Sequence, residues 1–275
     1  MKNYCFANGK IVKMEEAQVP VNDLAVLRGV GVFDFFRTYN GIPFHLKDHY
    51  DRFCRSVKTL GFKIPISFQE LEELVIVLLK KNKLKEASFR LVLTAGASVD
   101  GMTADQPSFF VLVEDLYELP KQIYIRGGKL ITYEYSRFLP ETKNTNYLTA
   151  ISLMKRRLQS KAVEILYIIN GQVFECSTSN IFLVKKGKLI TPAEGILNGI
   201  TRQVVIKVLA KNLGLKVDLK PIKTKELSQA DEIFITATNK KIVPIVKIDE
   251  QTIANGCPGS ITQALMIEFD NYLKL

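Results

Sequence analysis

A chain of 275 residues with 47% hydrophobic and 24% charged side chains, and only 16 Gly and 10 Pro, has a globular composition that excludes a disordered, collagen-like or low-complexity polymer. Its longest apolar run, Leu74–Leu79, is far short of the roughly 20 residues a spanning helix needs, and the first ten residues hold no apolar signal region, so no membrane span or export signal is expected. The net charge of +10 is spread over pairs such as Lys80-Lys81, Arg156-Arg157 and Lys185-Lys186 with no nucleic-acid motif beside them, which favours a small anionic ligand over nucleic acid. Cys5, Cys54, Cys176 and Cys257 lie far apart without a CxxC, against a disulfide framework or zinc site and in keeping with reduced thiols in a cytoplasm.

The first 45 or so residues read as short strands broken by the turns Asn8-Gly9 and Asn40-Gly41. Leu46, Tyr50, Phe53, Val57 and Leu60 then step at helical intervals to a stop at Gly61, with Arg52 and Arg55 off the apolar stripe. Ser67 followed by Glu70 is a capping box that starts a second helix, and strands FRLVLT and SFFVLV follow it. The pattern lapses over 115–122, around Pro120, and strands are expected to resume at Ile123. That lapse divides the chain into a small N-terminal domain (1–117), a linker (118–126) and a larger C-terminal domain (127–275). In the latter a strand near 130–135, a helix from about Thr145 to Ser160, and strands EILYII, NIFLV and KLIT are expected, with a turn at Asn170-Gly171. A long helix ITRQVVIKVLAKNL stopped by Gly214 comes next, then strands EIFITA and IVPIV and a final helix SITQALMIEFDNYL. Strands and helices mix without strict βαβ alternation, so the class is α+β.

No GxGxxG follows a strand, and neither a Walker loop nor a GxSxG elbow occurs, which removes dinucleotide, nucleoside-triphosphate and serine-hydrolase readings. His45 and His49 are spaced i and i+4, but two ligands do not make a metal site, and helix-start histidines that are solvated or locally hydrogen-bonded are the simpler expectation. More informative are four stretches rich in Thr, Ser and Asn between apolar strands: TKNTNYL, FECSTSN, ILNGITR and ITATNKKIVP. In the third, Asn198-Gly199 makes a tight approach and Ile200-Thr201 opens a helix, whose free N–H groups and positive dipole end suit a phosphate or simply an ordinary cap.

Taken in order, with DHYDRFCRS upstream and GCPGSITQAL at the last helix, these segments make the chain resemble the class IV (fold type IV) pyridoxal-phosphate-dependent aminotransferases, which include branched-chain and D-amino-acid aminotransferases and aminodeoxychorismate lyases. The resemblance implies a two-domain fold, with a small N-terminal α/β domain and a larger C-terminal domain built on a barrel-like sheet. It implies pyridoxal 5'-phosphate as cofactor and a homodimer acting on an amino acid and a 2-oxo acid. Lys143 falls on the family's Schiff-base lysine, where an amine shielded from water is both nucleophile and base. Glu175, 32 residues later, matches the carboxylate that keeps the pyridine nitrogen protonated. Arg52 matches the phosphate arginine, suited by its fork of donors, with Ile200, Thr201 and Thr238 completing the cup and Leu197 lying under the ring. Phe33, Arg37, Arg90 and Tyr147 are the substrate-side candidates.

Arg37 and Arg90 lean the specificity toward branched-chain enzymes, whereas Ala95 stands where D-amino-acid enzymes carry an arginine, and Phe35 where lyases carry a threonine. Phe35 also replaces a glycine, and Asp34 a glutamate, of branched-chain enzymes. The expected reaction is transamination between an L-amino acid with an apolar or branched side chain and a 2-oxo acid such as 2-oxoglutarate. D-amino-acid transamination and the lyase reaction are the alternatives within the family. A protein that binds the cofactor or a phosphometabolite without turnover, its pocket blocked by Phe35, is the alternative of another class.

Overall fold

A computed structural model describes residues 3–274, and contacts divide the chain into two compact units, one running to Tyr117 with Thr142–Asn146, the other made of Glu118–Glu141 and the chain from Tyr147 onward. The segment Thr142–Asn146, which the sequence reading counts with the later part of the chain, thus packs with the first unit.

The first unit is an antiparallel sheet of β1 (Tyr4–Ala7), β2 (Lys10–Lys13), β3 (Gly31–Tyr39), β4 (Ile42–Pro43), β5 (Ser88–Thr94) and β6 (Phe109–Glu114), in the order β2-β1-β6-β5-β3-β4. The short helix α1 (Leu24–Arg28) precedes β3, and α2 (Leu46–Thr59) and α3 (Phe68–Lys81) cover one face. Because side chains alternate along a strand, Val32 and Phe36 of β3 and Phe89, Leu91 and Leu93 of β5 face the helices and form a core with Phe53, Val57, Leu71 and Leu78. Both helices match their sequence pattern, and α3 has the expected box, with Ser67 and Glu70 capping each other's N–H groups.

The second unit holds a ten-stranded mixed sheet made of β7 (Gly128–Glu134), β8 (Glu164–Ile169), β9 (Gln172–Cys176), β10 (Asn180–Lys185), β11 (Lys188–Thr191), β12 (Val217–Leu219), β13 (Ile222–Lys223), β14 (Glu232–Ala237), β15 (Lys241–Ile248) and β16 (Gln251–Thr252). The strands run in the order β12-β11-β10-β14-β15-β7-β8-β9-β13, with β16 on β15, and register shifts in the β15/β7 and β8/β9 pairs help curl the sheet into a half-barrel. Leu130, Leu166, Ile181, Leu183, Ile233, Ile235, Val243 and Ile245 fill its core.

Two expectations change. The strand expected at Ile123 is a helix, Lys121–Arg126, because Pro120 starts it and Ile123 and Tyr124 pack on the second unit's core. The helix expected from Thr145 begins only at Leu148, since Lys143 and Thr145 are spent on backbone bonds to Phe33 and Gly31, and it is split into Leu148–Ser152 and Met154–Gln159. The long helix is continuous from Ile200 to Asn212 but π-wound over Val205–Leu209, and Gly214 follows it at φ +64°. Among the described residues, no helix is long and apolar enough to cross a membrane.

Candidate active site

In the first unit, Lys143 lies on a short extended segment that pairs with the start of β3. Phe33 N–H donates to the Lys143 carbonyl (2.9 Å), Thr145 N–H to the Gly31 carbonyl (3.0 Å), and Lys143 N–H to Ser56 Oγ on α2 (3.1 Å). Gly31 allows this approach, for a Cβ there would sit 3.0 Å from the Leu93 carbonyl and 3.2 Å from Thr145 Oγ1. The backbone of Lys143 is therefore fixed from two elements, and its Nζ lies 4.4 Å from the centre of the Phe33 ring. That is a cation–π geometry for the ammonium form and a sheltered position for the amine.

On the helix-covered face of β3, Asp34 is fully buried. Its Oδ2 accepts from Arg52 Nε (2.8 Å) and its Oδ1 from Arg52 Nη2 (2.8 Å), from the Phe35 N–H (2.7 Å) and from His49 Nδ1 (2.7 Å). Burial alone would raise the Asp34 carboxyl, but the Arg52 guanidinium and the His49 imidazole overcome it and hold the group well below the usual carboxylate range. Burial, aided by the charges of Arg52 and Lys143, pushes His49 down despite Asp34, so the ring is neutral, its Nδ1–H donating and its buried Nε2 without a partner. Arg52 and Arg55, equivalent by helical position, thus separate: Arg52 is buried and Arg55 exposed. The expectation of solvated or locally bonded histidines holds for His45, whose Nδ1 meets Asp48 Oδ2 at 2.6 Å, but not for His49, bound 15 residues away in the core.

The opposite face of β3 carries Phe33, Phe35 and Arg37. The Arg90 guanidinium lies over the rings of Phe33 (5.4 Å) and Phe35 (5.2 Å) and makes a two-pronged ion pair with Glu114 (Nε–Oε1 2.5 Å, Nη2–Oε2 3.0 Å). Arg37 is buried, 4.3 Å above the Tyr39 ring and 3.7 Å from Glu86 Oε2. Both arginines thus have carboxylate counter-ions that nothing local in the sequence announces.

In the second unit, Glu175 is the penultimate residue of β9 and its carboxylate is buried. Oε1 accepts from Arg137 Nη1 (2.8 Å), and Oε2 from the Leu197 N–H (3.0 Å) and from Asn180 Nδ2 (3.3 Å). Burial would lower the Arg137 guanidinium, but the Glu175 charge outweighs it and raises it. Asn180 also donates to the Leu197 carbonyl (2.8 Å) and lies so close to Gly199 that a Cβ there would fall 2.1 Å from Asn180 Oδ1. Gly199 starts the helix of Ile200 and Thr201 and provides no side-chain cap for their N–H groups. Thr201 Oγ1 and Thr236 Oγ1 are buried without a hydrogen-bond partner, and Thr236 is the β-sheet neighbour of Asn180. Thr238 is half-buried in the β14–β15 turn, and Tyr147, at the start of the Leu148 helix, lies within the field of Arg137.

Lys143, Phe33 and Arg52 therefore belong to one unit, and Glu175, Leu197, Ile200, Thr201, Thr238 and Tyr147 to the other. Arg137 and Asn180 as partners of Glu175, Ser56 as support for Lys143 and the Asp34–His49–Arg52 cluster are not in the sequence reading. Asn180 lies inside the FECSTSN stretch, and His49, Arg52 and Ser56 inside DHYDRFCRS, whereas Asp34 and Arg137 lie outside every quoted segment.

The family model described as amino-transferase class IV matches residues 31–248. A Methanocaldococcus jannaschii protein named provisionally as a branched-chain-amino-acid aminotransferase is 37% identical over 96% of this chain and 94% of its own length. The D-alanine aminotransferase of Listeria monocytogenes is 36% identical over 94% and 92%. Among solved structures, the T.th. branched-chain amino acid aminotransferase with pyridoxamine 5'-phosphate superposes with a TM-score of 0.91 at 27% identity, over 100% of this chain and 95% of that one.

Proposed function

The chain belongs to the class IV aminotransferases, and from that premise we propose that it transfers the amino group of an L-amino acid with an apolar or branched side chain to a 2-oxo acid such as 2-oxoglutarate, with pyridoxal 5'-phosphate as cofactor. The residues present fit that group. Buried, unpartnered hydroxyls at Thr201 and Thr236 beside an uncapped helix start suit a phosphate, and a buried carboxylate aimed by three donors suits a protonated ring nitrogen. When bound, the cofactor supplies an aldehyde to receive the amino group and a ring that draws off the electrons left at the substrate's Cα.

Lys143 Nζ is the amine that would hold the cofactor and the base that would take the Cα proton of the substrate. The backbone bonds to Phe33 and Ser56 keep its origin fixed while the side chain swings. Glu175 would keep the proton on the ring nitrogen, and Arg137 holds that carboxylate in place. By the family likeness, Arg52, Ile200, Thr201 and Thr238 are the residues that would hold the phosphate, and Asp34 and His49 fix the plane of the Arg52 guanidinium. Leu197 would support the ring, and Phe33, Arg37, Arg90 and Tyr147 are the residues that would meet the substrate.

The arrangement of Glu175 carries this reading, since a buried carboxylate locked by an arginine, an amide and a backbone N–H is the acceptor a protonated pyridine nitrogen requires. The decisive experiment mixes the protein with pyridoxal phosphate, adds borohydride, and compares wild type with Lys143→Ala. Covalent fixation is expected in wild type alone, and full turnover by Lys143→Ala refutes the assignment. Conversion of the bound cofactor by L-leucine but not by D-alanine is expected. The reverse preference, which the likeness to D-alanine aminotransferase makes the second reading, would reassign the substrate. The active protein is a cytoplasmic homodimer in this reading. An exposed apolar stripe of Leu148, Ile151, Met154 and Leu158 on the two short helices, near exposed Phe138 in sequence, supports a second copy as partner.

A further inference from the structure

Behind the Glu175 strand, the second unit contains a buried ionic cluster that the reaction as derived does not use. Glu164 on β8 is fully buried and its carboxylate accepts from four side chains: Ser177 Oγ and Thr178 Oγ1, Ser179 Oγ at 2.9 Å, and Lys240 Nζ at 2.5 Å. Lys240, itself only 6% exposed, also donates to Thr178 Oγ1 at 2.6 Å. Burial works against the Glu164 charge, but Lys240 and the hydroxyls outweigh it and keep the group ionised.

A buried ion pair adds little net stability, because the desolvation of both charges offsets their attraction and apolar replacements of similar volume are often as stable or more so. What it does is impose one geometry on the elements it joins. Here three consecutive hydroxyls of the β9–β10 turn wrap round one carboxylate. That turn has Glu175 just before it and Asn180 just after it, so fixing the turn fixes both. Lys240 ends the β14–β15 turn, which carries Thr238 and follows Thr236. The pair therefore ties the turn that aims a carboxylate at the ring nitrogen to the turn whose threonines face the phosphate end.

We propose that Lys240 and Glu164, through Ser177, Thr178 and Ser179, are positioning residues that set the spacing between the ring-nitrogen carboxylate and the phosphate-side threonines, so that one cofactor is gripped at both ends at once. The inference rests on the cofactor reading above. Its consequence is selective: a ligand that spans both ends feels a change in spacing, whereas a ligand that occupies one end does not.

The test titrates the full-length apoprotein with pyridoxal phosphate, with pyridoxal, which lacks the phosphate, and with inorganic phosphate, in wild type, in Glu164→Leu/Lys240→Met and in Thr178→Val. The double variant exchanges the whole pair for apolar side chains, leaving no unpaired charge, so its apoprotein melting temperature is expected to stay near that of wild type. Its affinity for pyridoxal phosphate is expected to fall about 10- to 100-fold, as for other supporting shells, with pyridoxal and inorganic phosphate held as in wild type. Thr178→Val, which removes only the bridging hydroxyl, is expected to show the same selectivity at smaller size, and it carries the test if the double variant does not fold. Unchanged affinity for pyridoxal phosphate in a folded variant overturns the proposal. So does an equal loss for inorganic phosphate alone, which would make Lys240 a direct phosphate ligand. Wild type that binds no pyridoxal phosphate overturns the cofactor reading itself, a result distinct from either.

Discussion

Glu175 takes hydrogen bonds from Arg137, Asn180 and the Leu197 backbone, and only Arg137 brings a full charge. Replacing it by leucine removes the guanidinium bonded to a buried carboxylate, a change worth roughly 3–5 kcal/mol when a buried pair is broken. Glu175 is then less firmly placed to hold the proton on a ring nitrogen. Arg137→Leu is therefore expected to lower the rate of the amino-acid half-reaction by about a hundredfold, the scale of losing one charge-stabilising group, with Arg137→Lys intermediate; stopped-flow absorbance measures both. His49 gives a pH signature. Its folded pKa is pushed down by burial, so the unfolded chain binds a proton first as pH falls, and stability present above the ordinary histidine value of about 6.5 declines below it by up to ~1.4 kcal/mol per pH unit. Asp34, also depressed, adds its loss only below the ordinary carboxylate range of about 4. Urea unfolding between pH 7.5 and 5 is expected to show the decline in wild type and a flatter profile in His49→Gln.

Helix starts are where the elements of this fold do chemistry or merely hold together, and two of them contrast. The α3 start is closed by Ser67 and Glu70, so Ser67→Ala is expected to cost about 1 kcal/mol of stability without touching the reaction, a difference visible as a lower urea midpoint with normal cofactor binding. The start at Ile200 has no side-chain cap, and its Gly199 is pressed against Asn180. Gly199 has an ordinary φ of −65°, so the constraint is room and not backbone conformation. Gly199→Ala must push Asn180 off Glu175, and weaker retention of pyridoxal phosphate on dialysis is the expected outcome. The short helices after Tyr147 obey a similar logic at longer range. The backbone of Lys143 and Thr145 is committed to β3, so the helical signal upstream of Leu148 is overridden.

For the molecule as a whole, the exposed stripe of Leu148, Ile151 and Leu158 predicts self-association. Leu148→Lys with Ile151→Lys places charge on that stripe, where it should prevent pairing while leaving the fold of each unit intact. Sedimentation is expected to show a dimer in wild type and a monomer in the variant; a variant that stays dimeric would move the interface elsewhere. The charge of +10 fits a protein whose 2-oxo acid and phosphate-bearing cofactor are anions, yet the key arginines are already paired with Asp34, Glu86 and Glu114. Net charge therefore says little about which cation meets which ligand.

Local patterns in the chain were enough to determine α2, α3, the long helix with its Gly214 stop, the Asn-Gly hairpins and the strands around FECSTSN, because periodicity, caps and turns act over a few residues. Family likeness, carried by short motifs in order, determined the class of reaction and the cofactor. The rest depends on residues far apart in sequence. Arg137 meets Glu175 across 38 residues and Asp34 meets Arg52 across 18, while Glu164 meets Lys240 across 76. No local signal distinguishes the buried Arg52 from the exposed Arg55, or Lys240 from its neighbour Lys241. Burying a charge is tolerable only where a partner waits, and folding alone brings the partners together.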